Sequence, residues 1–167
     1  GLSLNAAYQL LVSWGLRLQG VPVVHFACRA GLMPCPLGTR RDRPAAAPPC
    51  RECIAQSVHV YRGADVRWLL PEKAPDLALT QALRDLDVHR LADFTYREYP
   101  LGRIVLPTLR WVLRRHHLVD DGDTRLLYRK YILSAWQVVS HFAALLDEVN
   151  PRAVVVFNGM FYPEAAA

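Results

Sequence analysis

The stretch VPVVHFAC, residues 21–28, decides the fold class of this chain. It is short, apolar and rich in β-branched valine, which is typical of a strand buried on both faces, as in a parallel sheet. Upstream of it, apolar residues recur every three or four positions and predict a helix that ends before Gly20. These residues are Leu4, Ala7, Leu11, Trp14 and Leu18. A helix that leads directly into a buried strand predicts an α/β layer arrangement.

Two later stretches predict further strands of the same sheet. The first is VRWLL at residues 66–70, and the second is AVVVF at residues 153–157, apolar on both alternating faces. The second follows the strongest helical pattern in the chain, an apolar stripe over residues 127–149. We therefore expect parallel strands near residues 21–27, 66–70 and 153–157. The predicted fold is an incomplete Rossmann-like α/β domain, a doubly wound parallel sheet with an inserted cysteine-bearing loop.

Length and composition indicate one globular domain over residues 1–167, with 52% hydrophobic and 21% charged residues. This excludes a wholly disordered chain, and no apolar run reaches the eighteen or so residues of a membrane span. The chain begins without methionine and stops at FYPEAAA, so we expect a fragment of a longer, two-domain protein. The net charge of +5 comes from scattered arginines, without a basic block that alternates with aromatics, and does not favour nucleic-acid binding.

All four cysteines lie in residues 28–53, in the pattern C-x6-C-x14-C-x2-C. Five prolines and no periodicity predict that residues 29–52 form a loop. Four soft thiolates suit tetrahedral zinc, and a metal could replace the core that such a loop lacks. The predicted ligands are Cys28, Cys35, Cys50 and Cys53. Three alternatives stay open: a redox pair formed by the CxxC motif, disulfides in any of three pairings, and unlinked thiols.

Two short segments are candidates for ligand binding. Asn158 and Gly159 directly follow the predicted strand at residues 153–157, where open parallel sheets bind ligands. The same dipeptide also occurs in plain turns. If a strand precedes the first helix, the start of that helix would also lie at the carboxyl end of a strand. A helix cap is the simpler interpretation. Its candidate residues are Gly1, Ser3 and Asn5.

No catalytic constellation is recognisable, and no catalytic residue is assigned. His25 lies in a predicted strand, the histidines at 116–117 end a helix, and the aspartates of residues 120–123 are typical of a helix cap. Neither a GxGxxG nor a P-loop sequence is present. Arginines in the cysteine loop could face an anionic lipid-phosphate or sugar acceptor; they are Arg40, Arg41 and Arg43.

Together, three stretches resemble the N-terminal half of bacterial GT-B-type glycosyltransferases of capsule or surface-polysaccharide biosynthesis. They are LNAAYQLLVSWGLRLQGVPVVHFAC, the loop ending in PPCREC, and FNGMFYPEAAA. The resemblance implies two Rossmann-like domains, with this chain on the acceptor side and inactive alone. It implies that Gly1, Ser3, Asn5, Asn158 and Gly159 contact the acceptor. No residue matches a catalytic base.

The implied partners are a sugar or lipid-linked acceptor and a C-terminal domain of the same chain that binds the nucleotide-sugar donor. The implied location is the cytoplasm or the inner face of the membrane, with peripheral membrane association, and no nucleic acid is expected. Two other functions remain open: a non-catalytic, zinc-stabilised binding module and a CxxC redox protein.

Overall fold

The computed structural model describes residues 4–40 and 46–167. Within this part the chain is a mixed α/β protein in which helices predominate. The first elements are α1 (Leu4–Leu18), β1 (Val24–Cys28), α2 (Cys50–Val60) and β2 (Asp65–Leu69). They are followed by α3 (Leu77–Leu83), α4 (Val88–Ala92), α5 (Leu101–Leu113), α6 (Gly122–Val149) and a 3-10 turn (Glu164–Ala166).

The two strands pair in parallel, in a register that places Val24 opposite Asp65 and Cys28 opposite Leu69. The carboxyl ends of both strands therefore open at the same edge. The first two predicted strands and their parallel pairing are confirmed. Phe26 faces α6, where its ring lies 5.4 Å from that of Phe142.

The third predicted strand is wrong. Residues 153–157 form no regular secondary structure, and Val155 is 71% exposed. A strand must satisfy its backbone groups through a neighbouring strand. In the part of the chain that the structure describes, the only two strands pair with each other. Apolar composition alone therefore does not make this segment a strand, and the Rossmann-like wound sheet is not formed by the described residues.

The core lies between α6 and the helices before it. Asp121 caps the start of α6 by accepting the Thr124 N–H at 2.8 Å. This cap explains why α6 begins directly after the predicted turn. At the other end, Asn150 adopts left-handed backbone with φ of 44° and ends the helix before Pro151. Fully buried side chains of α4, α5 and α6 form the centre: Leu91, Leu101, Val105, Leu109, Tyr128, Tyr131 and Ile132.

The segment around residues 92–107 has no readable pattern, yet α5 begins at Leu101 and contains Pro107 in its interior. Gly102 permits its close approach to α4, because a Cβ at this position would overlap the carbonyl oxygens of Leu91 and Ala92. The Tyr128 hydroxyl donates to the Gly102 carbonyl at 3.0 Å. Tertiary packing thus stabilises the first half of α5, which local propensity does not predict.

The apolar residues of α1 are largely solvent-exposed, although their spacing predicts an apolar helical face that is buried. Leu11 is 67% exposed, Trp14 52% and Leu18 86%. Arg17 ties the end of α1 to the chain beyond α2 by donating to the Gly63 carbonyl at 3.0 Å. None of the helices described is long and apolar enough to cross a lipid bilayer.

Candidate functional site

The four cysteines occupy the ends of two elements and the segment between them. Cys28 is the last residue of β1, while Cys50 and Cys53 lie in the first turn of α2. The helix begins at Cys50 rather than beyond the CxxC motif, so the loop is shorter than the sequence predicts. All four thiols are free and partly buried. We call Cys28, Cys35, Cys50 and Cys53 the cysteine cluster.

A packed turn brings Cys35 towards the start of α2. The Cys35 carbonyl accepts the N–H of Gly38 at 3.2 Å, which closes the turn. Gly38 lies directly against the two prolines that precede Cys50, with 3.2 Å between its notional Cβ and Pro49 Cδ. Only glycine fits this contact, since a side chain would overlap Pro48. The turn after Cys35 and the first turn of α2 are therefore neighbours.

A second tight turn follows Cys28. The N–H of Arg29 donates to the Leu69 carbonyl at 2.8 Å, so the chain leaves β1 along the end of β2. Ala30 takes left-handed backbone with φ of 64°. A Cβ on Gly31 would lie 2.6 Å from the Leu69 carbonyl oxygen, so this residue also passes close to the strand. The cysteine cluster thus lies at the carboxyl edge of the two-stranded sheet.

The electrostatics of the cluster disfavour the thiolate form at Cys28 and Cys50. Burial raises the pKa of Cys50, and the neighbouring Cys35, Cys28 and Cys53 raise it further because like charges disfavour each other. Burial also raises the pKa of Cys28, whereas the backbone N–H groups of residues 30–32 act in the opposite direction by stabilising its thiolate. A redox-active CxxC pair requires a thiol of lowered pKa, and the shift at Cys50 has the opposite direction.

Polar side chains of α6 lie beneath this edge. Ser134, buried among apolar residues, accepts the Met33 N–H at 3.1 Å and pairs with the Tyr162 hydroxyl at 2.6 Å. One turn earlier on α6, Tyr131 is fully buried beside Cys35 and Thr39. The Tyr131 hydroxyl lies beside the Thr39 side chain, although the two do not meet in good hydrogen-bond geometry. Burial raises its pKa to about 12, so the phenol stays protonated.

The cysteines do not surround a common centre in this structure. Across residues 4–40 and 46–167, no three His, Cys, Asp or Glu side chains are arranged to hold a metal ion. The four predicted ligands are therefore not placed for coordination in the described part of the chain.

The predicted acceptor-contacting residues are separated in the structure. Asn158 and Gly159 form a tight turn, in which the Asn158 side chain accepts the Met160 N–H at 2.9 Å and Gly159 has φ of 64°. This turn leads to Tyr162, which is buried near Cys28. Asn5 lies in the first turn of α1, while Gly1 and Ser3 lie outside the described residues, as do Arg41 and Arg43.

Two surface clefts lie elsewhere. One of about 260 Å³ lies among α4, α5 and the segment before α6, and both apolar and polar side chains line it. The polar ones are His89, Arg110, His116, His117 and Asp120. The other, of about 230 Å³, lies between the sheet and the end of α6 and includes Arg67, His141 and Glu148. Glu148 accepts from Arg67 at 3.0 Å. Neither cleft contains a residue singled out for ligand binding in the sequence.

Sequence reasoning missed the three polar residues beneath the cysteine cluster: Tyr131, Ser134 and Tyr162. One signal was available, because Ser134 is a polar residue one turn from Tyr131 in a strongly apolar helix. Nothing local marks Tyr162, which reaches the site from the far end of the chain. In comparisons with known proteins, no family model, curated protein or solved structure matches this chain.

Proposed function

We propose that this chain is the acceptor-side domain of a GT-B-type glycosyltransferase that uses a nucleotide-sugar donor in polysaccharide or glycolipid biosynthesis. The observation that carries the proposal is the parallel pairing of β1 with β2. Ligands of open parallel sheets bind at the carboxyl ends of the strands. In this chain the cysteine cluster and Tyr162 lie at that edge.

The proposal includes a larger, Rossmann-like sheet. Exposed apolar patches mark surfaces that another element covers. Residues 153–157 are such a patch, with Val154 50% and Val155 71% exposed, and α1 presents another. In this proposal the partner domain of the longer protein covers both patches.

The acceptor would bind near the turn at Asn158 and Gly159. This turn is exposed and is held by its own hydrogen bond, which presents backbone groups to solvent. It leads into Tyr162, whose N–H donates to Thr108 at 2.9 Å and anchors the segment on α5. Because the buried Tyr162 fixes the position of the exposed turn before it, this turn suits a site that must hold a sugar in one orientation. No catalytic base is assigned, and the nucleotide-sugar would bind to the partner domain, on the cytoplasmic side.

The test is transferase activity of the full-length protein that carries this chain. Purified protein is incubated with labelled nucleotide-sugars and with lipid-linked or oligosaccharide acceptors extracted from the source cells. We expect release of nucleoside diphosphate that depends on both the donor and the acceptor. Absence of acceptor-dependent release with every donor would overturn the proposal.

A variant then tests the acceptor site. Asn158→Ala removes the side chain that closes the turn and should lower kcat/KM for the acceptor by about tenfold, the equivalent of one hydrogen bond of ~1.4 kcal/mol. The matched control is Gln81→Ala, on the exposed surface of α3, which should leave the activity unchanged. Equal activity of both variants would remove the turn from the site.

A further inference from the structure

We propose that the cysteine cluster binds one zinc ion as four thiolates, in a closed site with no open position for water. This inference is independent of sugar transfer, because it rests on the cysteines and their surroundings alone. The site would join the end of β1 to the start of α2. Its role would be to hold these two elements together at the carboxyl edge of the sheet.

The first support is the convergence of three chain segments. The turn after Cys28 folds over the end of β2 at Leu69, and the turn that begins at Cys35 packs on the prolines before Cys50. Both contacts require glycine, at positions 31 and 38. Two glycine-dependent contacts therefore direct separate cysteine-bearing segments towards one region.

The second support is the geometry of the CxxC motif. Cys50 and Cys53 are three residues apart in the first turn of α2, so both side chains lie on one face of the helix. The motif can therefore supply two thiolates to one ion.

The third support is the surroundings of the other two cysteines. The backbone N–H groups of residues 30–32 are directed at the Cys28 sulfur, and such donors commonly surround a coordinated thiolate. The buried Tyr131 hydroxyl lies beside Thr39 and Cys35, where it could donate to a coordinated sulfur. Hydrogen-bond donors around a metal site orient its ligands.

Zinc is the ion that best fits this ligand set. Four cysteine thiolates form the commonest tetrahedral structural zinc sites, with zinc–sulfur distances of about 2.3 Å. The sulfurs must then approach to roughly 3.8 Å from one another, which follows from a tetrahedron of those bonds. The cysteines do not stand in that arrangement here, so binding must draw them together. Zinc would also offset the mutual repulsion of the thiolates.

The first experiment measures metal content. The protein is purified under reducing conditions without chelators, and zinc and iron are determined by plasma mass spectrometry. We expect about one zinc per chain, and four thiols that react with a colorimetric reagent only after a chelator removes the metal. Metal-free protein, with free or disulfide-linked thiols, would overturn the proposal. An iron–sulfur chromophore in place of zinc would also overturn it.

The second experiment compares matched variants. Cys50→Ser should lower the zinc content from about one per chain to near zero, whereas Glu52→Gln, between the two cysteines, should retain it. Circular dichroism checks that the serine variant keeps its helices. If it does not fold, cobalt titration of the metal-stripped wild-type protein replaces it and should yield the intense visible bands of tetrahedral cobalt thiolate. Zinc retained by Cys50→Ser, or no cobalt–thiolate bands in the titration, would contradict the proposal.

Discussion

His25 is a half-buried imidazole whose surroundings disfavour its charged form. Its ring lies 5.0 Å from that of Tyr61, and its Nε2 has no hydrogen-bond partner among the described residues. Burial lowers the pKa of His25 below its usual 6.5, and the positive charge of Arg17 lowers it further, while Asp65 acts in the opposite direction. The imidazole therefore remains neutral in the folded protein at neutral pH.

We expect His25 to make stability depend on pH. Because its pKa is lower in the folded protein than in the unfolded chain, the unfolded chain binds more protons as the pH falls below about 6.5. The free energy of unfolding should therefore decrease from pH 7 downwards, until the pH passes the folded pKa. His25→Phe keeps an aromatic ring and removes the titration, so its melting temperature should vary less over the same range. Parallel profiles for the two proteins would contradict this assignment.

The packing of α5 and α6 depends on a segment from the far end of the chain. Tyr162 is 1% exposed and joins both helices: its hydroxyl pairs with Ser134 on α6 and its backbone N–H with Thr108 on α5. Its ring also lies 5.5 Å from that of Tyr131, edge-on. The segment after residue 157 is thus part of the core, although the apolar run before it is exposed.

Removing the Tyr162 hydroxyl should weaken this junction. Tyr162→Phe retains the ring but leaves Ser134 with only the Met33 N–H as a partner. We expect a loss of about 1–2 kcal/mol in the free energy of unfolding, which is typical of one buried hydrogen bond. Urea denaturation measures it, with Tyr8→Phe as the control, since Tyr8 is 59% exposed. A loss of the same size in the control would show that the hydroxyl of Tyr162 contributes nothing specific.

The molecule as a whole exposes two apolar patches, one on α1 and one on residues 153–157. Large apolar side chains on α1 and on residues 153–157 are at least 40% exposed: Tyr8, Leu11, Val12, Trp14, Leu18, Val154, Val155, Val156 and Phe157. Such surface favours association, whether with a further strand of the same protein or with another copy.

We therefore expect the chain of residues 1–167 to self-associate in solution. Analytical ultracentrifugation should show a sedimentation coefficient that rises with protein concentration. Val155→Lys places a charge in the exposed apolar segment and should reduce this rise. The control is Leu77→Lys at the start of α3, a site 77% exposed but outside both patches. A wild-type protein that stays monomeric at all concentrations tested would contradict this prediction.

Much of the architecture follows from local patterns in the sequence. The apolar stripe of residues 127–149 and the turn before it predict α6, because helix periodicity and capping act over a few neighbouring residues. β-Branched stretches likewise predict β1 and β2, and the grouping of all cysteines between residues 28 and 53 indicates a shared site.

Other features depend on contacts between residues distant in the chain. The run at residues 153–157 has the composition of a buried strand, but strand formation needs a paired neighbour that composition does not reveal. Helix α5 forms across Pro107 because α4 and α6 pack against it. The surroundings of the cysteine cluster arise in the same way, since Ser134 and Tyr162 meet across 28 residues of chain. The periodicity of apolar residues describes one segment at a time. Strand pairing and side-chain burial depend instead on which segments become neighbours in the folded protein.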